Sequence, residues 1–174
     1  GQCLSLADKL DALCGVFALG KKPSGNRDPF GLRRSALGIV RICVEGELDL
    51  KLTELVAAAL ALQPLESGDE TGAEVCEFIV ERMRGYASEQ LGAGPEVFDA
   101  VRARQPESLS DFADRLRAVK TFMAMDAAAS LAGANKRIGN ILRQAEYDED
   151  VSPEEALFEE DAEKALFAAL YAAR

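Results

Sequence analysis

The class of fold can be predicted from one stretch near the start of the chain, DPFGLRRSALGIVRICVEG, residues 28–46. Asp28 can accept a hydrogen bond from a free backbone amide, and a proline fits the first position of a helix. Leu37, Val40 and Val44 recur at a spacing of three to four residues, which predicts one buried helical side. The stretch is therefore expected to form a helix from Asp28-Pro29 to about Val44, ended by Gly46.

The same alternation of apolar helical stripes and turn residues extends over the whole chain. Helix starts are indicated by Asp49, by Thr71 with Glu74, by Ser108, and by Ser152 before a proline. The expected helices cover about 3–19, 28–44, 49–62, 71–91, 95–104, 135–144 and 152–173, with a break or kink at Gly133. A further helix is expected from Ser108 through Met123, and its end at Met123 or at Leu131 is left open. No stretch shows the sustained period-two alternation of a strand. We predict an all-α fold of about eight helices in antiparallel packing, without a sheet.

Composition excludes several classes of function. The 174 residues carry a net charge of −10 and include no histidine, so a catalytic triad and an HExxH zinc site are both excluded. The four cysteines form no CxxC pair and sit among apolar residues, which is typical of buried thiols in a reducing cytosol. Neither a signal peptide nor an apolar run of membrane-spanning length is visible. We expect a cytoplasmic protein that binds neither membranes nor DNA.

Recognisable catalytic and phosphate-binding motifs are also missing. The residues KPSG at 22–25 lack the spacing of a Walker A loop, and the acidic run 146–163 lacks the spacing of a calcium loop. That run, with ten acids and no base, is best interpreted as a solvated face with acids at a helix start. An independent enzyme is the least favoured interpretation.

Two basic islands stand out against this acidic background. Residues 21–44 contain six bases and one acid, and Arg34 and Arg41 share a helical face. Residues 132–145 contain Lys136, Arg137 and Arg143 and no acid, and Asn140 lies on the same face as Lys136 and Arg143. Cations and amides on one helix face suit contacts with phosphate and sugar. Solvated faces, or arginine stems that pair with nearby acids, explain the same patterns.

These islands also carry a resemblance to a known family. The segments ADKLD (7–11), KPSGNRDPF (22–30), LRRSALG (32–38) and KRIGNIL (136–142), together with the last helix, resemble the β subunit of bacterial heterotetrameric glycyl-tRNA synthetase. The matches are collinear and span nearly the whole chain, although residues 47–131 contribute little. Gly31 and Gly139 stand where the family has alanine, and each is expected to cost about 1 kcal/mol inside a helix.

The resemblance implies a function that composition alone cannot give. In this family the α subunit uses ATP, Mg²⁺ and glycine, whereas the β subunit mainly binds tRNA. The β subunit contains an HD-like helical domain followed by a DALR-type anticodon-binding domain. We therefore expect residues 1–46 to be the end of the HD-like domain and 47–174 the first part of the anticodon-binding domain. Asp8 matches the late aspartate of the HD pattern, but the other metal-binding elements are absent from this chain.

The sequence thus suggests an internal fragment of the β subunit that binds tRNA(Gly) and needs no cofactor of its own. Its partners are expected to be that tRNA, the α subunit and the remainder of the β subunit. The candidate RNA-binding residues are Lys136, Arg137, Asn140, Arg143, Lys21, Lys22, Arg27, Arg34 and Arg41. The alternative is a structural or subunit-interaction segment without direct RNA contact. Loss of covalent neighbours is expected to expose Leu6, Leu10, Leu166 and Leu170.

Overall fold

The computed structural model describes residues 1–25, 27–65, 68, 70–144 and 155–172. Within these ranges the chain forms eight α-helices and one short 3-10 turn at Glu155–Leu157. The helices are α1 Gln2–Ala18, α2 Leu32–Glu45, α3 Leu52–Ala61, α4 Thr71–Leu91, α5 Pro95–Arg102, α6 Leu109–Met123, α7 Asp126–Gln144 and α8 Asp161–Ala172.

The prediction of an all-α fold is confirmed. The extended pairings among the described residues are two isolated bridges, Ser24 with Arg27 and Lys51 with Ser108, and neither grows into a strand. By its internal contacts the chain divides into two compact units, residues 1–128 and 129–174.

The first unit has one continuous apolar core. Helix α1 packs on α2, α3 and α4, while α6 packs on α2, α4 and α5. Leu13, Ile39, Ile79 and Leu116 are completely buried where these helices meet. This core continues across the predicted domain boundary at 46/47, because α1 and α2 share it with α3 and α4. The assignment of 1–46 and 47–174 to two family domains stays a prediction.

Several helix starts differ from the predicted ones. Helix α2 begins at Leu32 rather than at Asp28-Pro29, although Asp28 still supplies the cap from outside the helix. Helix α3 begins at Leu52 with no side-chain cap from Asp49. Thr71 is already the first residue of α4, so the predicted capping box does not form. Ser108 does cap α6, by accepting a hydrogen bond from the Asp111 amide at 3.1 Å.

The last third of the chain shows two further differences. Helix α7 runs unbroken through Gly133, and the interruption lies earlier, between Met123 and Asp126. A single glycine destabilises a helix by only about 1 kcal/mol, and the neighbouring alanines, which are the best helix formers, offset this cost. Helix α8 begins at Asp161, well after the predicted start at 152; Ser152 and Pro153 lie outside the described residues.

The prediction of exposed leucines is half right. Leu166 and Leu170 of α8 are 70% and 51% exposed, as expected. Leu6 and Leu10 are 6% and 5% exposed, so for them the prediction is wrong. Both leucines belong to the core, because α1 is surrounded by three other helices.

Candidate nucleic-acid interface

Backbone hydrogen bonds join Ser24 and Arg27 in the loop before α2. The Arg27 amide donates to the Ser24 carbonyl at 2.9 Å, and the Ser24 amide donates back at 3.3 Å. Gly25, inside this turn, has a φ of +51°, which favours glycine. The Arg33 guanidinium of α2 donates to the Gly25 carbonyl and ties the turn to the helix. The predicted site residues Lys21 and Arg27 are exposed on this loop.

Asp28 organises the junction between the loop and α2. Its carboxylate accepts hydrogen bonds from the Leu32 amide at 2.8 Å and the Arg33 amide at 3.0 Å. Burial acts to raise the pKa of Asp28, but these donors and the charges of Arg33 and Arg34 outweigh it, so the pKa is lowered. The one acid of the first island is thus engaged in starting the helix. Gly31 lies outside the helix at a φ of +65°, and the helix penalty predicted for it does not apply.

The α2 face places Arg34 and Arg41 two turns apart, as predicted, and both are exposed. In the described part of the chain, neither has a carboxylate within ion-pair distance. Lys22 behaves differently, because its ammonium pairs with Glu74 of α4. The one ion pair of the first island in the described residues is thus made by a lysine, and none of its arginines forms one there.

The second predicted group lies on α7 within residues 129–174. Lys136, Arg137, Asn140 and Arg143 are all exposed. The Arg143 side chain donates to the Gly139 carbonyl at 3.2 Å and to the Asn140 side-chain oxygen. These bonds hold Arg143 along the helix next to Asn140, so the two predicted residues lie side by side. The apolar residues of α7 are also exposed, among them Ile138 at 52% and Ile141 at 54%.

Ion pairs are rarer among the cations up to position 41 than among the remaining cations of the first unit. Among the described residues, one of the seven lysines and arginines up to position 41 forms an ion pair, and that one is Lys22. Between positions 42 and 128, five of eight do so. The paired residues there are Lys51, Arg84, Arg102, Arg115 and Arg117. Within the described part of the first unit, cations that form no ion pair are thus concentrated on α1, α2 and the loop between them.

Sequence reasoning missed one cation on this side of the unit. Lys9 of α1 is half-buried, and its ammonium donates to the Ser5 hydroxyl at 2.8 Å. Its aliphatic stem lies against α2 at Gly38, where an added Cβ would come within 2.5 Å of the Lys9 Cε. The sequence signal that could have indicated this contact is Gly38 itself. A glycine inside an apolar helix, between two arginines, leaves space for a side chain from a neighbouring helix.

The described residues were also compared with what a metal site, a membrane span or a reactive cysteine requires. No group of three or more cysteine, aspartate, glutamate or histidine side chains is arranged there to hold a metal ion. No helix in the described part is long and apolar enough to cross a membrane. Of the four cysteines, Cys3 is exposed and Cys14 and Cys43 are buried. Burial raises the pKa of Cys14 to about 11, with smaller contributions from Cys76 and Asp11.

Comparison with known proteins gives a consistent result. Residues 1–103 match the family described as glycyl-tRNA synthetase beta subunit. A glycine–tRNA ligase beta subunit of Methylobacillus flagellatus is 44% identical over 171 residues, which are 98% of this chain and 24% of that protein. The corresponding subunit of Acinetobacter baylyi is 46% identical over 176 residues, covering 99% of this chain and 25% of that protein.

The chain therefore spans about a quarter of the length of the curated relatives that it matches. The family match covers more than half of the chain, and these relatives align with nearly all of it. The matched range contains α1, α2 and the loop between them. On these grounds the chain belongs to the glycyl-tRNA synthetase beta subunit family.

Proposed function

We propose that this chain is a tRNA-binding part of the β subunit of a glycine–tRNA ligase, acting in the cytoplasm and not catalytic by itself. One observation carries the proposal: among the described residues, the cations of α1, α2 and the loop between them form no ion pair except at Lys22, whereas five of the eight between positions 42 and 128 form one. An arginine without a local acid keeps its donors available for phosphate oxygens. On an acidic chain, such a patch is where an RNA backbone would be attracted.

Two groups of residues would contact the tRNA backbone. The first comprises the loop and α2 cations, Lys21, Arg27, Arg34 and Arg41, with Lys22 joining them if its ion pair with Glu74 opens. The second is the α7 face with Lys136, Arg137, Asn140 and Arg143. Backbone contacts position an RNA without reading its sequence, so these residues would act on tRNAs in general.

The chemistry of glycine activation would belong to the partner subunit. We assign ATP, Mg²⁺ and glycine to the α subunit and tRNA(Gly) binding to the β subunit, in a heterotetramer. The further partners of this chain would be the α subunit and the rest of the β subunit, with no role for DNA or membranes. No residue of this chain is proposed to take part in aminoacyl transfer.

A scaffold role without RNA contact is the second candidate, and exposed apolar surface favours it. A groove of about 600 Å³ runs between α1 and α3, lined mostly by leucine and alanine. Leu4 and Leu62 at this groove are 78% and 84% exposed. Apolar surface of this kind is typical of contacts with other protein segments.

Charge reversal on α7 tests direct RNA binding. In the chain carrying both Lys136→Glu and Arg143→Glu, we expect weaker binding of a tRNA with a glycine anticodon and of an unrelated tRNA alike. Each lost phosphate contact reduces the slope of log affinity against log salt by about 0.7–0.9. The matched control reverses two other exposed cations, Arg104→Glu with Lys164→Glu, and changes the net charge equally. Fluorescence anisotropy at two salt concentrations measures both variants.

The outcomes separate the two candidates. Surface substitutions usually change stability by less than about 0.5 kcal/mol, so the α7 variant is expected to unfold at nearly the wild-type temperature. Equal losses in the α7 variant and its control would mean that only total charge matters, and α7 would not be an interface. If the wild-type chain binds no tRNA even at low salt, the scaffold candidate replaces the proposed function.

A further inference from the structure

The crossing of α1 over α2 places a lysine between two arginines. Gly38 lies four residues after Arg34 and three before Arg41, on the same stripe of α2. Atoms Cδ and Cε of Lys9 occupy the space above Gly38, at 2.9 and 2.5 Å from where a Cβ would be. A side chain of any kind at position 38 would have to displace the lysine stem. Gly38 has no positive φ, so its lack of a side chain provides space rather than a special backbone conformation.

In the part of the chain that the structure describes, none of the three cations forms an ion pair, although the charge of Arg34 contributes to the lowered pKa of Asp28. In the described residues, no acid lies within ion-pair distance of Lys9, Arg34 or Arg41. The Lys9 ammonium donates to the neutral Ser5 hydroxyl, which fixes its position without pairing its charge. Asp8 and Asp11 are one and two positions from Lys9 and therefore point to other sides of α1.

We infer that Lys9, seated over Gly38, completes a row of three cations with Arg34 and Arg41, and that this row binds successive phosphates of an RNA backbone. The backbone positions of Arg34 and Arg41 are about 10.5 Å apart along the helix axis. The Arg34 guanidinium extends one turn further back, to lie beside Gly31. A nucleic-acid strand carries one charge per about 3.4 Å of its axis, so a row of this length is long enough to meet at least three phosphates. The inference rests on the proposed function and adds Lys9 as an RNA ligand and Gly38 as a positioning residue.

The first test removes the charge of Lys9 and keeps its stem. Lys9→Met fills the same space above Gly38, so the thermal unfolding midpoint is expected to stay near the wild-type value. The salt slope for tRNA should decrease by about 0.7–0.9, which makes the loss of affinity between 50 and 200 mM salt about threefold smaller. Lys9→Arg should restore the slope. Arg104→Met is the matched control, since Arg104 is exposed, unpaired in the described chain, and follows α5, which packs on α4 and α6.

The second test asks whether Gly38 acts through Lys9. Gly38→Ala is expected to weaken tRNA binding in the wild-type chain, because the methyl group displaces the lysine stem. In a Lys9→Ala background the same substitution should leave tRNA affinity unchanged. There it should also raise the unfolding midpoint, since alanine is the better helix former and nothing remains above it. This stability readout requires no RNA.

The outcomes keep the inference and the proposed function apart. If wild type binds tRNA and Lys9→Met keeps the full salt slope, the inference is wrong while the proposed function stands. If Lys9→Met instead unfolds at a much lower temperature, Lys9 serves the fold through Ser5, and the inference is also overturned. An equal effect of Gly38→Ala with and without Lys9 would rule out the positioning role. A wild-type chain without tRNA affinity would end both proposals together.

Discussion

Gly85 and Gly92 lie inside α4 and at its end, respectively, and their backbone conformations differ. Gly92 ends α4 in the left-handed conformation, with a φ of +61°. Gly85 lies inside α4 with no positive φ, is exposed, and has open space where a Cβ would be. Left-handed backbone disfavours any residue with a Cβ, whereas glycine inside a helix is inferior to alanine.

The same substitution at these two positions should therefore change stability in opposite directions. Gly92→Ala is expected to lower the free energy of unfolding by about 1–2 kcal/mol. Gly85→Ala is expected to raise it by up to about 1 kcal/mol. Urea unfolding of the two variants and wild type measures both effects. Two shifts of the same sign would contradict this description of where α4 ends.

Residue-level signals in the sequence predicted some of these features and missed others. Ser108 was correctly predicted as a cap, since its hydroxyl accepts a hydrogen bond from the Asp111 amide. Thr71 carries the same kind of signal, but it is 7% exposed as the first residue of α4 and makes no cap. A start that lies one residue earlier than expected turns the predicted cap into the first helical residue. Lys9 escaped prediction because its neighbour Gly38 belongs to another helix, and no local pattern reports such a contact.

At the scale of helices, α1 is held by its contacts with α3 and α4 around Cys14. This cysteine is completely buried, and its sulfur lies 3.9 Å from the Val56 carbonyl of α3. Burial, and then the proximity of Cys76 and Asp11, raises the pKa of Cys14 from 9.0 to about 11. The folded state therefore holds the thiol proton more tightly than the unfolded state does.

The stability of this contact should depend on pH in the alkaline range. A pKa raised by folding contributes stability that is complete below pH 9 and is lost as the pH rises from 9 towards 11. Wild type should lose more free energy of unfolding over this interval than Cys14→Ala does. The exposed Cys3 provides the control, because Cys3→Ala should follow the wild-type curve. Parallel curves for wild type and Cys14→Ala would show that Cys14 does not titrate differently in the two states.

Helix boundaries were predicted least well where the prediction that a helix ends depended on a single residue. Gly133 was expected to interrupt the chain, but α7 continues through it because alanines on both sides favour the helix. The long helices α1 and α4 were predicted closely, since their apolar stripes extend over many turns. Periodicity is informative over such lengths and says little about a single turn.

Over the whole molecule, charge pairing was the property that sequence could not supply. Lys22 pairs with Glu74, which is 52 residues away in the chain. Arg102 reaches back to Glu77 and Glu81 of α4. The basic islands were visible in composition, but which cations remain without an acid depends on the assembled helices. The candidate cations could therefore be predicted from the sequence. Which of them form ion pairs could be learned only from the folded structure.

One small backbone contact has a consequence for how the first unit opens in solution. The first four amides of a helix normally have no partner, and such amides exchange their hydrogen with water quickly. The Leu52 amide at the start of α3 instead donates to the Glu107 carbonyl before α6, at 3.0 Å, and Leu52 is buried. Exchange at Leu52 should then require separation of two loops 55 positions apart in the chain.

Deuterium exchange monitored by NMR can measure this protection. We expect the Leu52 amide to exchange at a rate close to that of core amides of α4, and much more slowly than the Thr53 amide beside it. Fast exchange at both would mean that the loops open independently of the core. Slow exchange at Leu52 would make this amide a reporter of cooperative opening in residues 1–128. The segments around Leu52 and Glu107 would then lose their protection against exchange together.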